Sequence, residues 1–159
     1  MVILINGSIN AGKSTVGKLI ADALPQTALL EIDVLRDMVA WMPLETSIPL
    51  NLSNAVSIIK NFAAAGLNVV VPYPLSEANY AYLVASLGPE KIEVRAFSLA
   101  PRLDVALTNR GTRVLTDAER ERVHYHYNKG IPTPTFGTII DNSEQSPEET
   151  SRIIMDELA

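Results

Sequence analysis

One stretch near the N-terminus, Gly7-Ser8-Ile9-Asn10-Ala11-Gly12-Lys13-Ser14-Thr15, completes the pattern G-x-x-x-x-G-K-[ST]. Each residue type in it serves the binding of phosphate. Glycines let the loop curl so that successive backbone N–H groups converge on anionic oxygens. A helix beginning near Lys13 adds the positive end of its dipole to the same point. Lys13 supplies a charge for β- and γ-phosphates, and the Ser14 hydroxyl is suited to ligating Mg²⁺. Gly7 to Thr15 are therefore expected to bind ATP, with Ser14 as the metal ligand. A glycine turn with a solvated lysine would need no strand before it and no helix after it. Here Val2-Ile3-Leu4-Ile5 is a strand-like apolar run, and Val16, Leu19, Ile20 and Ala23 repeat at helical spacing.

The second group is acidic. Glu31 and Asp33 follow the apolar run Ala28-Leu29-Leu30. If a second strand runs from Ala28 through Asp33 in a parallel sheet, its carboxyl end lies beside the phosphate loop, where ligands bind. Alternation along a strand then puts both acids on one side. A carboxylate there can accept the proton of an attacking hydroxyl, which makes Asp33 the candidate base. The competing role for Asp33 is to cap a short helix from about Val34 to Trp41. Glu31 could help hold Mg²⁺ through water. Arg36, one turn after Asp33, suits an anionic acceptor such as a sugar acid, or simply an ion pair with nearby acids. Strand three, Val69-Val70-Val71-Pro72-Tyr73-Pro74, carries no acid, so the metal is left to Ser14, the phosphates, water and the acids after strand two. Tyr73 is a candidate lining residue for the acceptor pocket, or a half-buried tyrosine between prolines.

Arg110 and Arg113, in Asn109-Arg110-Gly111-Thr112-Arg113, form a third group. Phosphoryl transfer spreads negative charge over the γ-oxygens, which guanidinium groups stabilise. Two solvated arginines at a helix C-terminus would be the plain alternative. Arg102 reads as a surface residue. His124 and His126 lie two apart, about 200° around a helix, so they cannot share one metal. The run His124-Tyr125-His126-Tyr127 is expected to pack its helix onto the domain or face the acceptor.

The elements that must position these residues alternate along the chain. Strands are expected at Val2–Ile5, Ala28–Ile32, Val69–Val71, Ile92–Leu99 and Thr138–Ile140. Between them fall helical stripes: Val16 to Ala23; Leu52 to Ala63, stopped at Gly66; Tyr80 to Leu87, capped by Ser76; and one marked by Leu103, Ala106 and Leu107. Thr116 with Glu119, and Ser146 with Glu149, are capping boxes. Strand–helix alternation implies an α/β domain with a mostly parallel sheet covered on both faces. The 159 residues suit a single domain. With 13 Lys+Arg against 18 Asp+Glu, the net charge of −5 argues against a nucleic-acid partner. The absence of cysteine excludes disulfides and thiolate metal sites and fits a cytoplasmic protein. No apolar run is long enough for a membrane span. A small molecule is the expected partner, with the chain a monomer or homodimer.

The phosphate loop at the extreme N-terminus, the short chain and the Arg-Gly-Thr-Arg segment resemble the small P-loop kinases, among them shikimate kinase, gluconate kinase and chloramphenicol phosphotransferase. The resemblance spans most of the chain as an order of elements. It implies a five-stranded parallel sheet of order 2-3-1-4-5, a lid at about 110–135, and an acceptor region between them. It also implies transfer of the γ-phosphate of ATP to a hydroxyl of a metabolite or antibiotic. In such kinases an Asp at the end of strand two is the base, and Asp33 matches it. Arginines from the lid or its hinge meet the nucleotide, and Arg110 and Arg113 match those, with Gly111 as hinge. Asp141-Asn142-Ser143 occupies the place that often cradles adenine. Two other readings share the loop. A nucleoside or nucleotide kinase would gather more arginines around its acceptor than Arg36 and Lys60. A nucleotide switch without catalysis would carry a guanine-reading N/T-K-x-D motif, which is missing after strand four.

Overall fold

The computed structural model describes residues 1–110 and 114–159. The expectations for Gly111 as a hinge and Arg113 as a phosphate contact therefore lie outside the described residues. In chain order the elements are β1 (Val2–Gly7), α1 (Lys13–Ala23), β2 (Thr27–Leu29), α2 (Ile32–Asp37), α3 (Leu44–Ala64), β3 (Asn68–Pro72), α4 (Glu77–Leu87), β4 (Val94–Leu99), α5 (Leu103–Ala106), α6 (Asp117–Asn128), β5 (Thr138–Ile140) and α7 (Pro147–Leu158). A 3₁₀ turn, Gly88–Glu90, follows α4. The strands form one sheet of order β2-β3-β1-β4-β5, and every pairing is parallel. This is the sheet order of the P-loop kinase fold.

Alternation along β1 explains the layers. Val2 and Leu4 face one way and pack with Leu52, Ala55, Ile59, Leu83 and Leu87 from α3 and α4. Ile3 and Ile5 face the other way, onto Val16, Ile20 and Ile154 from α1 and α7. A sheet covered on both faces needs strands that are apolar at every position, and all of β1 is buried. Ser76, Thr116 and Ser146 each accept a bond from the backbone N–H three residues on, the last two within complete capping boxes.

β4 starts at Val94 rather than Ile92, and three boundaries differ from expectation by three residues or more. β2 stops at Leu29 rather than Ile32, and the chain is already helical at Ile32. The register gives the reason. Asn68 N–H donates to Gln26 and Leu30 N–H to Val70 O, so the next bond along this edge would come from the N–H of residue 72. Pro72 has none, and the ladder ends. α3 begins at Leu44, about two turns earlier than its apolar stripe, and carries Pro49 inside it. At the sixth helical position that proline costs a single carbonyl its partner. α2 closes at Asp37, so Met38 and Trp41 lie beyond it, 74% and 81% exposed.

Candidate active site

β1 delivers the phosphate loop. Gly7 has φ +141°, and a Cβ there would stand 2.6 Å from the Leu99 carbonyl oxygen of β4, so only glycine fits the exit from the sheet. Gly12 (φ +94°) turns the chain into α1 without a side-chain cap. The first-turn N–H groups of α1 have no intrahelical acceptor, and no acidic residue occupies that turn. These donors, with the positive end of the helix, suit an anion. Asn10, in the left-handed region at φ +64°, braces the loop by donating to Ala106 O (2.9 Å) and Thr108 O (2.8 Å) after β4. Lys13 Nζ donates to Ser8 O at 2.7 Å.

A cavity of about 720 Å³ opens over the loop, bordered by Gly12, Lys13, Ser14, Thr15, Asp33, Arg36, Arg110 and Asn142. Arg110 reaches the loop itself, donating to Asn10 O (3.4 Å) and Asn142 O (3.2 Å). Asn142 donates to Ala11 O at 2.9 Å, while its Oδ1 is buried without a partner. Converging N–H donors, a lysine and an arginine fit the phosphates of a nucleoside triphosphate, and the orphaned amide oxygen fits a donor such as an amino group. Ser14 and Asp33 border the same space and are the groups that would hold Mg²⁺. Among the described residues no cluster of three or more His, Asp or Glu could hold a metal unaided. Arg102 is on the surface, paired with Glu144 at 2.8 Å.

Asp33 reaches the cavity from a different element than expected. It is not a strand end and not a cap. Glu31 stands at the N-cap of α2, without a side-chain bond, and Asp33 is the second helical residue. Its carboxylate lies 3.3 Å from Arg36 Nη1, one helical turn on, and Arg36 also meets Asp37 at 3.4 Å. Alternation no longer relates the two acids, and they part. Glu31 borders a second open groove with Ser14, Thr15 and Lys18, which shares Ser14 and Thr15 with the cavity above Lys13.

A smaller cavity of about 110 Å³ adjoins the first and shares Ile9, Asp33 and Arg36 with it; Ser47, Tyr73, Arg122 and His126 also border it. Tyr73 is 8% exposed. Burial, then the Asp33 charge, raises its hydroxyl pKa, while Arg36 and Arg122 pull it back. His126 is 5% exposed, and its Nδ1 lies 3.3 Å from Ser8 Oγ and 3.4 Å from Ile9 N. A backbone N–H can only donate, so Nδ1 is the bare nitrogen and the proton sits on Nε2. Burial, then the Arg122 and Lys13 charges, push the imidazole pKa down to about 4. The run at 124–127 thus packs α6 onto the phosphate loop through one of its two histidines.

Arg122 and Ser47 were not singled out in the sequence, and His126 only as part of the run expected to pack its helix or face the acceptor. Arg122 and His126 are four apart, which places them on one helix face, but nothing local marks that face as the one turned to the loop. Asn6 was also missed. It is fully buried, donating to Ser98 Oγ (2.9 Å) and Ile131 O (2.7 Å) and accepting from Leu75 N–H (2.7 Å).

No protein-family model matches the chain, and no curated protein sequence is significantly similar to it. Solved structures are similar in fold. A gluconokinase of Sinorhizobium meliloti matches with a TM-score of 0.69 at 19% identity, covering 99% of this chain and 90% of its own. The APS kinase of Mycobacterium tuberculosis, solved with AMPPNP and APS, matches with 0.67 at 20% identity, covering 99% and 96%. The tunicamycin resistance protein of Deinococcus radiodurans matches with 0.66 at 20% identity, covering 99% and 95%.

Proposed function

We propose that the protein is an ATP-dependent phosphotransferase that moves the γ-phosphoryl group of ATP to a hydroxyl of a small molecule, a metabolite or an antibiotic. The observation that carries this reading is the single cavity in which the phosphate loop, Lys13, Ser14, Asp33 and Arg110 come together. The likeness to a gluconokinase and an APS kinase supports it at the level of the fold.

In this reading the acceptor hydroxyl enters beside Asp33 and attacks the γ-phosphorus in line with the departing ADP. The new O–P bond forms as the bond to the β,γ-bridging oxygen breaks, and the hydroxyl proton passes to the Asp33 carboxylate. Arg36 holds that carboxylate in place. Lys13 and Arg110 meet the charge that accumulates on the phosphate oxygens. Mg²⁺, when bound, would neutralise phosphate charge and orient the γ-group, with Ser14 as its protein hydroxyl ligand. In this reading the described residues from 114 to about 135 form the lid. Without cysteine, the chain suits the reducing cytoplasm.

The reading is tested by coupling ADP release to a panel of sugar acids, aminoglycosides, phenicols and nucleosides. ATP consumption that depends on one hydroxyl compound, and vanishes in Lys13→Ala, is the expected result. ATP binding with no acceptor-dependent turnover across wider panels would favour a nucleotide-binding protein without catalysis.

A further inference from the structure

We propose that Arg122, on α6, selects the acceptor, and that the acceptor is a small hydroxylated acid whose anionic group sits against this guanidinium. The inference rests on the phosphotransfer reading and adds the substrate class.

The charges around the smaller cavity divide the work. Arg36 is already committed to two carboxylates, Asp33 at 3.3 Å and Asp37 at 3.4 Å. Arg122 has no carboxylate partner among the described residues; its contact is the face of Tyr125, 5.0 Å to the ring centre. Its positive field reaches into the cavity and acts on both Tyr73 and His126, while the Asp33 charge, paired with Arg36, acts on Tyr73 in the opposite sense. His126 cannot share that role, because its imidazole is neutral. Arg122 is therefore the charge in this pocket that still lacks a counter-ion, and a planar guanidinium suits a carboxylate.

A second observation points to a ligand independently. Ser47, only 1% exposed, borders the same cavity, and its Oγ is buried with no hydrogen-bond partner. A buried hydroxyl left unpaired is costly, and a ligand oxygen would relieve it. The remaining walls, Ile32, Leu44, Ile48 and Pro74, are apolar and suit a carbon skeleton. The cavity, about 110 Å³, falls well below the ~300–1,000 Å³ of drug-sized ligand sites, so the acceptor is small. Its acid is held from α6 and its hydroxyl is offered to Asp33 on α2. The distance between those two groups is what the enzyme measures.

Matched pairs test this: gluconate with sorbitol, shikimate with its methyl ester, glycerate with glycerol, each assayed for thermal shift and for ATP-dependent phosphorylation. At least one acid should be bound and turned over, with its neutral counterpart weaker by roughly tenfold or more, the scale of one charged hydrogen bond. Arg122→Gln should raise the acceptor KM by about 10–100-fold on the same scale while ATP affinity and Tm stay close to wild type, and Arg122→Lys should recover part of the loss. A neutral compound used as well as its acid, an Arg122→Gln enzyme with wild-type acceptor KM, or a panel in which no acid shifts the melting curve would each overturn the assignment. Thermal shift needs no turnover, so failure of phosphotransfer is seen separately: acid binding lost in Arg122→Gln with no ATP-dependent product would remove the kinase reading and leave the anion site standing.

Discussion

The chemistry of the site divides by how far apart in the chain its residues lie. Lys13 and Ser14 were legible because their partners are contiguous: the loop's spacing is its geometry. The place of Asp33 beside the loop was legible, although its element was not, since a strand end and a first helical turn deliver a carboxylate to the same sheet edge. Arg122 and Ser47 were not legible, and His126 only as part of a packing run, because each joins the site by the docking of a helix that no local pattern specifies. Asp33→Asn keeps the shape and removes the proton acceptor, so turnover should fall by roughly 10²–10⁴-fold with little change in ATP affinity. Its ion pair with Arg36 is largely exposed, so calorimetric melting should move little, by the ~0–1 kcal/mol of such pairs. A variant with wild-type turnover would move the base elsewhere. His126 makes a pH prediction. Its folded pKa, about 4, lies below the ordinary value of 6.5, so between those values the unfolded chain binds the extra proton. Its contribution is complete above pH 6.5 and is lost as pH falls toward 4. Denaturant midpoints across that window should fall less steeply in His126→Gln than in wild type, and parallel slopes would contradict the neutral buried imidazole.

At the scale of elements, the strand cores and three capped helix starts were read correctly because apolar runs and capping residues act locally. The misread boundaries came from long-range causes. The end of β2 is decided by a proline in its neighbour β3, and the early turns of α3 bury the polar residues Ser47 and Asn51, which an apolar stripe does not mark. Asn6 shows how elements around the site are tied: one side chain joins β1 to β4, to the segment after β3 and to the segment after α6. Asn6→Ala would leave the Leu75 N–H and the Ile131 carbonyl without this partner, at about 1–3 kcal/mol for each group that stays buried and unpaired. A urea-unfolding loss of ~2–6 kcal/mol is expected on that basis; a loss under ~0.5 kcal/mol would mean water replaces the amide. The segment that follows α6 is held to the body, where Glu77 accepts from Thr135 (2.7 and 2.9 Å) and Tyr80 stacks on Phe136 with ring centres 3.8 Å apart. If α6 belongs to a lid, hydrogen exchange over residues 114–132 should slow on adding ATP and Mg²⁺, while the anchored segment after Thr135 changes little. Equal protection in both states would argue for a fixed wall.

The whole molecule follows from a parallel sheet whose carboxyl edge gathers its functional loops. Alternation of strands and helices made the class readable, whereas the order of strands was implied only by resemblance to known kinases; periodicity says which faces are apolar, not which strands are neighbours. None of the described helices is long and apolar enough to cross a membrane. The central claim is that this edge carries ATP-dependent phosphoryl transfer to a small-molecule hydroxyl. It is tested most directly by incubating the protein with ATP, Mg²⁺ and a metabolite extract and following products by mass spectrometry. The account predicts that one hydroxyl compound gains a single HPO₃ group, in step with ADP formed, and that Lys13→Ala yields neither product. ATP left unbound, or ADP formed with only free phosphate as its counterpart, would contradict it.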